Sequence, residues 1–301
     1  MSPKANALIA RVVALFAFLG LSGLVPAAAQ AQSCDRACLA GLVTQYVDAL
    51  AARDPSKLPL TSATVRFTQN STQMKLGDGV WKSITGKGGF RQDYLDTTKQ
   101  VAAAHVLMLE GLNPILYSVV LHVKDRKIDG IETLFQRITP DSRFQPNQLG
   151  GPIKGMNDPV PAGKKHSRAE LIRIALTYPE GLRVGSFIDG KTPFADETYR
   201  VENGVVTAGT GCGRADCGMY AQHIMLHPSI IANVAAVDEE AGIVLLWMNF
   251  GYTDSYGPGN SLVTFEAFKV WGGQIHSILA FFPTLPLATS RNWPSLDEVR
   301  P

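Results

Sequence analysis

Apolar positions along the chain fall into helix-like and strand-like segments that occur in the same order twice. Residues 36–53 have the spacing of an amphipathic helix, with apolar side chains at positions 39, 42, 43, 46, 47 and 50. Asp54 precedes Pro55, which disfavours helix at that point. β-branched and aromatic residues then predict a strand at Thr64–Thr68. Three longer predicted strands close this first half: Val101–Glu110, Pro114–Lys124 and Ile128–Arg137.

The second half begins after a segment rich in proline and glycine, residues 139–166, which we interpret as a linker. Ser167 and Glu170 form a capping-box pattern that predicts a second helix. We expect this helix to end near Thr177, because Pro179 follows. A strand is predicted at Thr198–Val201, and further strand candidates are Met219–Leu226, Ile230–Asp238, Ala241–Tyr252, Leu262–Trp271 and Gln274–Phe282.

Two short sequence matches support an internal duplication. Arg66–Asn70 corresponds to Arg200–Asn203 with one residue deleted, and Lys127–Ile131 corresponds to Gln274–Ile278. Each match lies at the same place in the order of elements. The order of helix, arginine-containing strand and closing Ile-x-x-Ile strand therefore indicates two tandem repeats.

This order, with Arg-Phe/Val-x-(x)-Asn and Ile-x-x-Ile strands, resembles the NTF2-like, or SnoaL-like, superfamily. The runs Cys34–Leu39 and Lys75–Trp81 are similar to those of a group of uncharacterised exported proteins with two tandem NTF2-like repeats. The resemblance implies an α+β fold of two tandem cones, each a curved antiparallel sheet wrapped by N-terminal helices around a pocket. Because this fold hosts isomerases, dehydratases, lyases, cyclases and binding modules, it selects no single chemistry.

The N-terminus has the pattern of a secretory signal peptide. Lys4 and Arg11 precede an uncharged apolar stretch, Val12–Val25, and Ala29-Gln30-Ala31 supplies a small-x-small cleavage pattern. We therefore expect an exported protein, periplasmic or secreted. The predicted divisions are residues 1–31, signal peptide; 32–138, first repeat; 139–166, linker; 167–285, second repeat; and 286–301, C-terminal tail.

The charge of the chain changes when the signal peptide is set aside. The full chain has 28 basic and 26 acidic residues, and both excess basic residues lie in the signal peptide. The remainder is formally neutral and has no basic stripe, which argues against a nucleic-acid partner. No later segment approaches the ~20 apolar residues of a membrane span, so no span is expected in the mature chain.

Four cysteines form two local pairs in the sequence, and an exported chain favours disulfides. Three pairings are possible. Both the two local pairs and a bond between the N-terminal helix and the loop at 212–217 remain open. The spacing is poor for zinc, and no metal is predicted. The candidate disulfide cysteines are Cys34, Cys38, Cys212 and Cys217.

His105 is the strongest candidate for chemistry in the first repeat. It shares one strand face with apolar residues, so it is either a hydrogen-bonded core residue or an acid–base group in a pocket. In the catalytic hypothesis, His105 is the base and Tyr94 or Glu132 is its partner. Arg91, in a predicted loop or short helix with Tyr94, would stabilise developing negative charge.

The remaining candidates are assigned to ligand binding. Glu202, His223 and Asn249 are the counterparts, in the second repeat, of the acid–base set proposed for the first repeat. Tyr117 is expected in the core with its hydroxyl at a wet edge. The full candidate ligand-binding set is Asn70, Trp81, Tyr117, Glu202, Asn203, His223 and Asn249.

These patterns lead to two functional hypotheses. No Gly-x-Gly-x-x-Gly follows a strand, so no dinucleotide or other cofactor is predicted. The first hypothesis is a cofactor-independent lyase, dehydratase or isomerase acting on a small, largely apolar, possibly aromatic molecule. The alternative is a non-catalytic exported module that binds a small molecule or a protein. Either protein would be a monomer with an internal pseudo-dimer or a homodimer.

Overall fold

The computed structural model describes residues 32–146, 149 and 155–297. The predicted signal peptide, residues 1–31, lies outside the described residues, as do parts of the linker and the last four residues of the tail. Within the described residues the fold is α+β, as predicted. It has two successive halves, each a helix followed by a curved mixed sheet.

The first half contains α1 (Arg36–Ala51) and a six-stranded sheet ordered β2-β1-β6-β5-β4-β3. Asp35 caps α1 by accepting a hydrogen bond from the backbone N–H of Cys38. Short 3₁₀ turns lie at Pro55–Lys57 and Gly79–Lys82. The strands are β1 (Arg66–Gln69), β2 (Thr72–Met74), β3 (Gly86–Asp96), β4 (Val101–Glu110), β5 (Asn113–Lys124) and β6 (Lys127–Arg137).

The second half repeats this order with α2 (Arg168–Val184) and a sheet ordered β8-β7-β12-β11-β10-β9. A further short strand pairs with β11, and a 3₁₀ turn lies at Asp254–Tyr256. The strands are β7 (Phe194–Glu202), β8 (Val205–Gly209), β9 (Ile231–Asp238), β10 (Ile243–Asn249), β11 (Asn260–Trp271), β12 (Gln274–Phe281) and β13 (Thr284–Pro286).

The expectation of purely antiparallel sheets is wrong. β1 runs parallel to β6, and β7 runs parallel to β12. Within each pair, the chain between the two strands runs through all the intervening strands of that sheet. Such a long connection permits parallel pairing, whereas a tight hairpin permits only antiparallel pairing.

Three predicted elements also differ. α2 continues past Pro179, because Tyr178 and Leu182 extend its buried face and Gly185, at φ +73°, supplies the left-handed cap. Arg91 and Tyr94 lie in β3 rather than in a loop, and a register shift between Lys87 and Arg91 interrupts the pattern of that strand. Residues 219–226 form turns and irregular backbone rather than a strand.

Each sheet has two buried faces. One face packs on the helix of its own half, around Leu42 of α1 or Ile174 of α2. The other faces meet in a shared apolar layer that includes Leu116 and Phe265. The interior between helix and sheet is therefore a different place from the layer between the two sheets.

Ion pairs join the halves in a swapped arrangement. Arg36, the first residue of α1, binds Asp238 at the end of β9 (2.5 Å). Arg168, the first residue of α2, binds Asp96 at the end of β3 (2.8 Å). Each aspartate also accepts a backbone N–H from the penultimate residue of the opposite strand, at 3.0 and 2.9 Å. The two halves therefore make equivalent contacts with each other.

The cysteines form two local disulfides, Cys34–Cys38 and Cys212–Cys217. This decides between the two pairings that the sequence left open. No helix in the described residues is both long enough and apolar enough to cross a membrane.

Candidate functional site

His105 lies in the layer between the two sheets and has no solvent exposure. Its Nδ1 is 2.8 Å from the hydroxyl of Tyr94, and its Nε2 is 3.0 Å from the carbonyl oxygen of Phe265. Because a carbonyl only accepts, Nε2 carries the proton and Tyr94 donates to Nδ1. Burial lowers the pKa of His105 to about 3, so the ring is neutral. Its observed contacts are those of a hydrogen-bonded core histidine.

The structure does not bring the four predicted catalytic residues together. Arg91 lies on the opposite face of β3 from Tyr94 and binds Asp93 (2.6 Å) beside α1. Glu132 shares the face of His105 but lies two strands and two residues away, or ~12 Å. A hydrogen bond or one bridging water cannot span that separation. The alternation of side chains along a single strand predicted the face on which each residue lies. It could not predict the distances between residues on different strands.

Glu132 instead belongs to a buried charge cluster with the C-terminal tail. Arg291 binds both of its carboxylate oxygens, at 2.9 and 2.7 Å, and His122 Nε2 lies 2.7 Å from Oε1. Burial alone would raise the pKa of Glu132, but Arg291 and His122 outweigh it and hold the pKa below its usual value. Arg291 also donates to the carbonyl of Val234 in β9, so this cluster joins the two halves.

Trp293 fixes the tail to the first half. Its ring stacks on His122 with a centroid separation of 4.4 Å, and its Nε1 donates to Thr68 Oγ1 (3.0 Å). The guanidinium of Arg66 lies over the same ring, 4.5 Å from its centroid. Gly130 makes room for the indole, since a Cβ there would lie 2.5 Å from it.

Three predicted ligand-binding asparagines have backbone partners. Asn70 exchanges hydrogen bonds with the backbone of Phe135, and Asn203 does the same with Phe282. Both asparagines have φ near +46°, as a tight corner requires. Asn249 donates to two carbonyls of the tail, at residues 287 and 289. All three amides stabilise turns or the tail.

The matching Asn70 and Asn203 corners establish which positions of the two halves are equivalent. Counting back from each corner, Gln69 corresponds to Glu202 and Phe67 to Arg200. Strand pairing agrees, because Phe67 lies opposite Ile131 and Arg200 opposite Ile278. The sequence match of Arg66 with Arg200 is therefore wrong by one residue, and no deletion is needed.

Aromatic side chains fill the interior of the first half. The hydroxyls of Tyr46 and Tyr117 hydrogen bond to each other at 2.7 Å, and Trp81 packs edge-on against Tyr46. Phe67 and Val119 are fully buried beside them. The hydroxyl of Tyr117 thus lies in the core and not at the expected wet edge. Trp81 is also a core residue.

The interior of the second half contains ionisable groups at the equivalent positions. Arg200 replaces Phe67, Glu202 replaces Gln69, and Glu266 of β11 replaces Val119. Arg200 donates through Nη1 to the hydroxyl of Tyr178 (2.9 Å), and its Nε is 3.4 Å from Glu202 Oε1. Glu202 and Glu266 both pair with Ala280 of β12, so they face the interior from the two strands that flank it.

Glu266 is the most perturbed carboxyl of this group. It is 1% exposed, and its Oε1 has no hydrogen-bond partner in the described structure. Burial, with the negative charge of Glu202, raises the pKa of Glu266 to about 8, although Arg200 and Tyr178 act in the opposite direction. The carboxyl is therefore mainly protonated at neutral pH.

A polar cavity of about 580 Å³ opens beside this cluster. It reaches Arg200 and Glu202 at its inner side, and the Cys212–Cys217 loop contributes to its rim. Glu202 and His223, both predicted to bind ligand, line it. Within the described residues, no group of three or more potential metal ligands lies together. The lining residues are Arg143, Phe144, Arg200, Glu202, Val205, Val206, Thr207, Cys212, Arg214, Asp216, Gln222 and His223.

Sequence reasoning missed Arg200, Glu266 and Tyr178 as site residues. The sequence does indicate that Glu266 is unusual. Its neighbours Phe265 and Ala267 lie on the opposite strand face, so Glu266 shares its own face with Thr264 and Phe268. A carboxylate on such a face needs a reason to be buried. Tyr178 carries no such signal, because it was placed beyond the predicted helix end.

One comparison with known proteins gives a match. A family model described as "Domain of unknown function (DUF8021)" matches residues 164–282, less than half of the chain. These residues comprise α2 and the sheet of the second half as far as β12, including Arg200, Glu202 and Glu266. No curated protein and no solved structure matches the chain.

Proposed function

We propose that the second half is an acid–base site that binds a small molecule and transfers protons on it without a cofactor. The observation that carries the proposal is the difference between equivalent positions. The first half packs Phe67, Gln69 and Val119 where the second half has Arg200, Glu202 and Glu266. Burying ionisable groups destabilises a fold, and the first half shows that the same fold is built without them. A functional role for the charged set explains its presence.

The chemistry of the set suits proton transfer. Glu202 lines the cavity and is the group positioned to take or give a proton at the ligand. Arg200 stabilises negative charge that develops there. Glu266, whose pKa burial raises to about 8, lies behind them as a second carboxyl.

The lining of the cavity favours a polar ligand over the largely apolar one expected from the sequence. Arginine, glutamate, glutamine and histidine side chains reach it, and Phe144 is its one aromatic residue. The volume of about 580 Å³ lies within the range of small-molecule sites.

The fold and the cellular location belong to the same proposal. Two successive units of helix and curved sheet with identical strand order support an NTF2-like cone for each half. Two disulfides support export, because they persist in oxidising compartments. The signal-peptide pattern at residues 1–31 points the same way.

The experiment is incubation of the purified mature chain with a small-metabolite extract, followed by mass spectrometry of the soluble and protein-bound fractions. We expect a compound to be consumed by the wild-type protein and not by Glu202→Gln, which keeps the shape of the side chain. Glu170→Gln, on the exposed face of α2, is the matched control. A compound that is retained but never converted would overturn the enzyme proposal in favour of the binding module.

A further inference from the structure

We infer that Arg200 is the anchor for a carboxylate group of the ligand, so that the second half takes small carboxylic acids. The inference rests on the proposed function in using the same cavity. It goes further by naming the chemical class of the ligand and the group that recognises it.

Arg200 donates three side-chain hydrogen bonds. Nε donates to Thr207 Oγ1 (3.1 Å), Nη1 to the Tyr178 hydroxyl (2.9 Å) and Nη2 to Gln222 Oε1 (3.0 Å). These acceptors are uncharged. A guanidinium has five N–H donors, and the three bonds leave one N–H on each terminal nitrogen. A carboxylate can bind through both of its oxygens to two donors of this kind, one on each terminal nitrogen.

Two other arginines with little exposure, Arg291 and Arg168, each bind a carboxylate through both oxygens. Arg291 binds both oxygens of Glu132, and Arg168 binds both oxygens of Asp96 at 3.0 and 2.8 Å. Among the described residues Arg200 has no such bidentate partner, and the carboxylate paired with it, Glu202, lies 3.4 Å from Nε. Charge-assisted bonds of this kind are normally about 2.7–2.9 Å. Arg200 is thus a largely buried cation with an incomplete set of anionic partners.

A ligand in the cavity can reach Arg200, and the lining of the cavity has a net positive charge. Arg200 lies on the cavity wall, and Arg143 and Arg214 lie at the same cavity. Three arginines exceed the two carboxylates among the lining residues, Glu202 and Asp216. A ligand carboxylate entering the cavity would meet a net positive lining and supply the missing bidentate partner.

Glu266 adds little negative charge near Arg200 at neutral pH, because burial raises its pKa to about 8. It lies close enough to Arg200 for their charges to interact, and its unpartnered Oε1 is buried. Tyr178 of α2 and Arg200 and Glu202 of β7 are the charged or titratable groups that act on it. With Glu266 protonated, Glu202 is the carboxylate paired with Arg200 among the described residues, and a ligand carboxylate would compete with it.

The test is binding of benzoate and succinate, each compared with its uncharged amide, to the full mature chain by isothermal titration calorimetry. We expect the carboxylates to bind at neutral pH and the amides to bind at least ~10-fold more weakly. Arg200→Lys keeps the charge but loses the pair of terminal nitrogens, and should also weaken carboxylate binding by about 10-fold or more. Arg173→Gln, an exposed arginine paired with Glu170, is the control and should bind as the wild type does.

A second variant tests the inference even if Arg200→Lys does not fold. Arg214 is exposed at the rim, so Arg214→Gln should remain folded and weaken carboxylates more than amides. Equal binding of benzoate and benzamide, or unchanged benzoate affinity in Arg200→Lys, would overturn the inference. Tighter binding of inorganic phosphate than of any carboxylate would replace the carboxylate class by a phosphate.

The outcomes separate this inference from the proposed function. Carboxylate binding with no metabolite converted would sustain the anchor and remove the acid–base chemistry. Conversion of a metabolite that neither benzoate nor succinate inhibits would sustain the chemistry and remove the anchor.

Discussion

Glu266 and Val119 occupy equivalent positions in the two sheets, and the difference between them has a measurable cost at the level of a single residue. Val119 adds apolar contact to the interior of the first half. Glu266 places a carboxyl where burial disfavours its ionised form. Glu266 therefore lowers the free energy of unfolding of the second half as the pH rises.

Glu266→Gln should remove that pH dependence. The folded-state pKa is about 8, above the unfolded value of 4.5, so the folded protein binds the extra proton between these values. Stability contributed by this group is complete below about pH 4.5 and is lost as the pH rises to about 8. Relative to the variant, the wild type should lose on the order of 1 kcal/mol per pH unit in this window. Urea unfolding from pH 5 to 8 measures it, and parallel profiles of the two proteins would contradict it.

Tyr94→Phe tests whether His105 has a structural role. The substitution leaves the buried Nδ1 of His105 without its donor, which should destabilise the fold by ~1–3 kcal/mol. Carboxylate binding in the second half should be unchanged. Urea unfolding and calorimetry give the two results. A stable variant that has lost metabolite conversion would show instead that His105 takes part in catalysis.

Residue patterns predicted the strand faces better than they predicted the site. Alternation correctly placed His105 on an apolar face of β4. It could not show that this face meets the second sheet, because packing between halves is not encoded in the period of one strand. The same limit hid Arg200, whose role depends on which neighbouring residues lie across the sheet.

At the level of elements, the loop closed by Cys212–Cys217 has a specific place. It follows β8, the edge strand, and its Arg214 and Asp216 side chains line the cavity. The other disulfide, Cys34–Cys38, lies at the start of α1 in the first half. Comparing removal of one disulfide with removal of the other therefore separates effects on the cavity from effects on the fold.

Replacing Cys212 and Cys217 by serine should weaken carboxylate binding. Without the bond the rim must be ordered when the ligand binds, and ordering one residue costs about 1–2 kcal/mol, or on the order of 5- to 30-fold in affinity. The same double replacement at Cys34 and Cys38 should leave affinity unchanged. Calorimetry with benzoate compares them, and equal losses in both variants would remove the specific role of the rim.

Helices and long strands were the most predictable elements. The apolar period identified α1 and the strands β4, β5 and β6 almost to their ends. α2 was predicted too short because the rule for Pro179 is local, whereas the packing of Leu182 is not. β8 was missed, since its five residues lie between turns and have no buried alternating face.

At the level of the whole molecule, the tail and the swapped ion pairs connect the halves through buried charges. Arg291 lies between Glu132 of β6 and the carbonyl of Val234 in β9, and it is 3% exposed. Removing one member of a buried pair leaves an uncompensated charge, whereas removing both does not. The tail was visible in the sequence as a separate segment, but Glu132, the partner of Arg291, lies 159 residues away and no local pattern indicates it.

Arg291→Leu should destabilise the protein by about 3–5 kcal/mol. The double variant Glu132→Leu/Arg291→Leu should be more stable than Arg291→Leu alone, because no buried charge is left without a partner. Urea unfolding of the two single variants and the double variant completes the cycle. Additive losses would show that the two side chains act independently.

The repeated strand order of the two halves has a consequence for how the chain can change. In a symmetrical homodimer, every substitution is made twice, at both copies of the position. Here the two equivalent interiors are encoded separately, so a charge that weakens one can be balanced by apolar filling in the other. The first half can supply a firm contact surface while the second tolerates Arg200, Glu202 and Glu266. Because one chain holds both units, one of them can be less stable than two identical subunits would each have to be.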